Sequence, residues 1–251
     1  MDFSEIDKTF DYYEQRYNLS KMALDCGISH KIFNNLSSKE KFLALSYKLK
    51  EANKINLASF FFGKLFEVSG EMEALLNKIN CLIKLNEFEE AIRYNNIGWE
   101  LFLEDPDIDA FETEKILSLQ KAEIAFHMEK YHSSEVICEE SIIKFKTQEF
   151  YFLLCANFIA MNQIENAKKF YDKYGNKFGN PVDFLLEIYI HLLDINFLDK
   201  AIDFTDFLFN ITEKQKKSII NNINKYYTFD KNKAALKKYF DKEINLLANP
   251  K

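Results

Sequence analysis

The side chains able to do chemistry are few and widely spaced. The four histidines are His30, His127, His132 and His191; the four cysteines are Cys26, Cys81, Cys138 and Cys155. His127 and His132 stand five apart, on different faces of any helix that holds both. Glu123, four residues before His127, is the one neighbour that shares its face. A metal needs at least one ligand more than that pair supplies. The cysteines are separated by 55, 57 and 17 residues with no CxxC, which is neither a zinc spacing nor a dense disulfide framework. Gly175 and Gly179 precede no Lys-Ser or Lys-Thr, so there is no phosphate-cradling loop. His30 and His191 have no local Ser/His/Asp or Cys/His signature around them, and carboxylate pairs such as Glu89-Glu90 and Glu139-Glu140 read as helix surface. The expectation is a chain that is not an enzyme and carries no cofactor or metal.

Charge bears on the partner. The net charge is −6, which argues against non-specific nucleic-acid binding. Residues 71–149 hold eighteen acidic and eight basic side chains, whereas residues 213–251 hold ten lysines against four acids. Twenty-five Phe and thirteen Tyr raise the question of base stacking. In an acidic chain, with the rings at core spacing, packing is the better reading. The acidic N-terminus, Met1 to Asp7, has no basic region leading into an apolar stretch, and the most apolar window, Phe150 to Met161, is cut by Asn157. The expected setting is cytoplasmic and reducing, without membrane insertion, and Cys81 and Cys155 fall at helical core positions.

The elements that position these residues are helices. Three prolines and six glycines leave little with which to turn a sheet, and Lys, Glu, Leu, Ile and Phe dominate instead. Leu75, Ile79 and Leu82 line one helical face, Asn86-Glu87-Phe88 turns the chain, and Ala91, Ile97 and Leu101 ride on a second helix. Small residues recur in the place of Ala91: Ala58 before it, then Ser134, Ala167, Ala201 and Ala235. The spacings are 33, 43, 33, 34 and 34 residues. One helix pair cannot bury its own apolar stripe, so pairs with such a period must stack.

This pattern resembles the tetratricopeptide repeat, through Ile79, Leu82, Phe88 and Ala91. The resemblance implies an all-α fold, a right-handed α-α superhelix of about five to six helix pairs. Residues 1–37 form an N-terminal cap or degenerate pair, residues 38–212 the repeats, and residues 213–251 a basic capping pair. The long spacing is expected to hold an acidic loop insertion at 104–113 around Pro106, and a second turn lies at Tyr174 to Pro181.

In the family the first helix of each pair faces inward, and its non-core positions touch ligand. Mapped here, the resemblance places Leu43 and Tyr47 in the groove, then Leu76, Asn77, Asn80 and Ile83, then Leu119, Glu123 and Phe126. Phe152, Ala156 and Ile159 follow, and then Leu186, Ile190 and Leu193. The bases of a carboxylate clamp are replaced by Leu43, Leu76 and Leu119. The groove is expected to be apolar from Phe152 to Leu193, covered by a partner's amphipathic helix or extended apolar segment, by the basic C-terminal segment, or by a second copy as a homodimer. The implied function is a protein-interaction adaptor or chaperone-like scaffold; the alternatives are a peptide-sensing regulator and a structural subunit of a larger assembly.

Overall fold

A computed structural model of the chain describes residues 3–105, 109–177, 181–228 and 233–244, apart from the side chains of Phe3 and Thr228. All regular structure among them is helical. The chain divides into two units, Met1–Ile124 and Ala125–Lys251.

The first unit opens with α1 (Phe3–Tyr17), α2 (Leu19–Asp25) and α3 (His30–Asn34). Ile6 and Phe10, one turn apart on α1, are buried as their spacing requires. A capping box then starts α4 (Ser38–Glu51): the Ser37 amide donates to Glu40 Oε2 at 2.8 Å, and the Glu40 amide donates to Ser37 Oγ. There follow α5 (Ile55–Ser69), α6 (Met72–Lys84), α7 (Phe88–Glu104) and α8 (Ala110–His127), the last crossing the division near its C-terminal end. Phe10 meets Phe42 edge-on, with ring centroids at 5.3 Å, and Phe42 meets Phe61 at 6.2 Å, so α1, α4 and α5 share one core.

The second unit holds α9 (Tyr131–Phe145), α10 (Gln148–Ala160), α11 (Ile164–Tyr174), α12 (Pro181–Asp194), α13 (Leu198–Phe209), α14 (Glu213–Ile223) and α15 (Lys233–Tyr239). A second capping box, Thr212 with Gln215, starts α14. α10 is buried along its whole described surface from Phe150 to Ala160, by α9, α11, α12 and α13.

Five turns between paired helices are built alike. Asn53, Asn86, Glu129, Asn162 and Asn196 each take a left-handed backbone, with φ between 58° and 62°. The next amide reaches back five residues: Lys54 to Leu49, Glu87 to Leu82, Lys130 to Ala125, Gln163 to Phe158 and Phe197 to Leu192, at 2.7–2.9 Å. This is the Schellman closure of a helix C-terminus. Asparagine tolerates the left-handed region because its short polar side chain bonds locally. That is how a chain so poor in glycine turns so often. Five residues after each stands the small marker, Ala58, Ala91, Ser134, Ala167 or Ala201, and all five are fully buried.

One expectation needs amendment. Of the insertion at 104–113, Glu104 still belongs to α7, and residues 110–113 are already the first turn of α8. Helix-forming Glu104, Ala110 and Glu112 stand among those positions, so much of the added length extends helices rather than a loop; Pro106 itself lies outside the described residues. In the first pair, Ser46 stands twelve residues before Ala58, as Ile79 does before Ala91. It is fully buried because its hydroxyl donates to Phe42 O at 2.7 Å. In the last pair, the turn before Ala235 lies outside the described residues.

Candidate functional site

Each first helix presents a position eleven residues before the small marker: Tyr47 on α4, Asn80 on α6, Glu123 on α8, Ala156 on α10 and Ile190 on α12. All but Ala156 keep part of their surface accessible. In the first unit this row is polar and cross-linked. Tyr47 Oη donates to Glu73 Oε1 at 2.7 Å and accepts from Asn77 Nδ2 at 2.9 Å, and Lys50 Nζ donates to Asn77 Oδ1 at 3.0 Å. Gln120 on α8 donates its amide to Leu76 O at 2.8 Å and to Asn80 Oδ1 at 2.9 Å. The face of α4, α6 and α8 is therefore tied by hydrogen bonds that run between helices.

Electrostatics follow from the same contacts. Burial, with the Glu73 carboxylate adding to it, pushes the Tyr47 hydroxyl up to about 12, so it stays a donor. Burial lowers the Lys50 ammonium from its ordinary range. Gln120 Oε1 is buried without a hydrogen-bond partner among the described residues, leaving an unmet acceptor beside Asn80.

The apolar groove is where the expectation fails. Phe126, Ala156 and Ile159 are fully buried, and Phe152 and Ile83 nearly so. Phe152 meets Phe184 edge-on at 4.9 Å, and Phe126 packs on Tyr131 and His191. The residues of α10 are used up in joining α9, α11, α12 and α13, because a helix covered on every side has no free face. Ile190 and Leu193 remain half-buried. On α12, ion pairs tie Lys233 to Glu187 and Lys237 to Asp183, and Phe240 lies edge-on to Tyr189 at 5.1 Å. The chain's own basic C-terminal segment thus lies against α12 through Asp183, Glu187 and Tyr189.

Three features escaped the sequence. Lys50 and Gln120 were unmarked, although a polar residue at a core-facing position such as 120 is itself a signal of an interhelical hydrogen bond. His191, which has no neighbour in sequence, sits against Phe126 near His127. Burial first, then the charges of His127 and Lys233, lower its pKa to about 3, so it is neutral. The asparagine five residues before four of the five small markers is a readable turn signal, with Glu129 in that place before Ser134.

Cys81, Cys138 and Cys155 are buried free thiols, and burial pushes Cys155 well above the usual range. His132 lies on α9, apart from His127 on α8, and its Nδ1 is 2.9 Å from Glu135 Oε2. Among the described residues, no group of three His, Cys, Asp or Glu side chains is placed to hold a metal ion, and no helix is long and apolar enough to cross a membrane.

The turns, the buried small residues and the pairing of successive helices define an all-α, tetratricopeptide-like repeat fold. Among solved structures, one described as the functional characterization of Pseudomonas aeruginosa pilF is similar to this chain. The TM-score is 0.51 at 15% identity, over 87% of this chain and 98% of that one. At such identity the likeness concerns the fold. No protein-family model and no curated protein matches the sequence.

Proposed function

We infer that the chain is a protein-interaction adaptor that holds a partner polypeptide against the first-helix face of the Met1–Ile124 unit. The observation that carries this is the row Tyr47, Asn80 and Glu123, half-open on three successive first helices. Asn77 holds the Tyr47 hydroxyl in place, and Gln120 holds the Asn80 amide. Polar groups fixed by their neighbours lose little freedom on meeting a peptide backbone. A polar row also favours an extended segment over an amphipathic helix, which needs an apolar floor. Ile190 and Leu193 are the corresponding contacts in the second unit.

A photo-crosslinking residue in place of Asn80 should capture a discrete partner from cells, and one at exposed Glu100 on α7 should not. Tyr47→Ala with Asn77→Ala should reduce the Asn80 adduct at unchanged helicity. Equal capture at Glu100, or capture indifferent to Tyr47 and Asn77, would move the binding surface elsewhere.

A further inference from the structure

The second helices of the Ala125–Lys251 unit carry two complementary exposed faces. On α9, Val136 and Ile143 are 41% and 77% exposed. They lie seven residues apart, two turns along one face, with Glu139 and Glu140 between them. Ile143 is the most exposed large apolar residue described. Glu135 pairs with His132, whereas Glu139 and Glu140 have no cationic partner among the described residues.

On α11, Asn166, Lys169, Phe170, Lys173 and Tyr174 follow the three-four spacing of a single stripe, and Lys177 follows in the turn just beyond it. Phe170 and Tyr174 pack tilted against Tyr151 of α10, with ring centroids at 5.8 and 4.9 Å, and line a shallow aromatic groove. Lys173 Nζ lies 5.0 Å from the Tyr174 ring, and Lys177 donates to Tyr151 Oη at 3.0 Å. Lys168 takes Asp172, so Lys169 and Lys173 have no carboxylate partner among the described residues.

One face is acidic with two bare aliphatic side chains; the other is basic with an aromatic floor. We propose that they are the two halves of a self-complementary interface, and that a second copy of this chain docks α9 into the α11 groove while its own α9 enters the groove of the first. Because both halves sit on one unit, a two-fold axis satisfies both contacts at once and closes the assembly. Base stacking is disfavoured, since the chain is acidic, Tyr151 and Phe158 are buried, and Phe170 and Tyr174 pack tilted against one another at 4.6 Å.

Sedimentation velocity on the full chain tests this. The wild type should dimerise with concentration, and the dimer should weaken as salt rises. K169E/K173E alone and E139K/E140K alone should each be monomeric, with association weakened by at least about tenfold. Mixed together, the two variants should form a heterodimer, because each acidic face then meets a basic one. A monomeric wild type at all concentrations, variants that associate like wild type, or a mixture that stays monomeric would each overturn the proposal. So would tight binding of a labelled oligothymidylate to the α11 groove. If a double variant loses helicity, Ile143→Ser reads the same contact and should weaken the dimer.

Discussion

Asn157 on α10 donates its side-chain amide to Ser134 Oγ on α9 at 2.9 Å, and to Leu153 O at 2.9 Å within its own helix. Ser134 is the one marker of the five described pairs that is not alanine, and Asn157 is the one polar residue in the apolar run of α10. Two departures from the pattern are thus one interaction. Ser134→Ala should cost about 1 kcal/mol in urea unfolding. In the Asn157→Leu background it should cost less, with a coupling of about 0.5–1.5 kcal/mol. Zero coupling would mean the bond contributes nothing.

Glu129 is the glutamate among four asparagines at the left-handed turn position. Its backbone has φ of 60° without the local side-chain bonding that eases asparagine. Glu129→Gly or Glu129→Asn should stabilise the chain by about 0.5–1 kcal/mol, and Asn86→Ala should destabilise it by about 1 kcal/mol. Thermal melts of the three variants measure the order.

A Cβ on Gly98 of α7 would come within 2.7 Å of Leu117 Cδ2 on α8 and 3.5 Å of Leu75 on α6. Leu117 is fully buried and has little room to give. Gly98→Leu should therefore cost about 2–3 kcal/mol despite better helix propensity. Leu117→Ala should recover part of that loss, a non-additivity that denaturation of the double variant reports.

His191 gives the stability a pH dependence of known sign. Unfolded, its imidazole titrates near 6.5; folded, near 3. Between those values the unfolded state binds more protons, so stability is full above pH 6.5 and falls as pH drops toward 3. The slope is at most about 1 kcal/mol per pH unit, eased by the accessible edge of the ring. His191→Leu should flatten the decline between pH 6.5 and 5. An unchanged slope would place the cause elsewhere.

The period of the fold was legible because it is written in residues with no alternative. A small side chain is needed where two helices cross, and Ala58, Ala91, Ala167 and Ala201 stand where the structure needs them. The functional face was less legible because exposure depends on neighbours far along the chain. Phe152 and Ile159 occupy first-helix positions just as Asn80 and Ile190 do, but α12 and α13 close over α10 and nothing in residues 150–160 announces it. Charge asymmetry was visible, and half of its meaning lay in Lys233 and Lys237 meeting Glu187 and Asp183.

The five matching turns also govern how the chain reaches its structure. Each closes through hydrogen bonds spanning at most five residues. A hairpin can form as soon as its own residues are available, without waiting for distant sequence. Loop-closure entropy is small for contacts so local, and contact order stays low. Synthesis would release one completed hairpin after another, each docking on the last, so apolar faces such as that of α10 stay bare only until the next period of chain emerges.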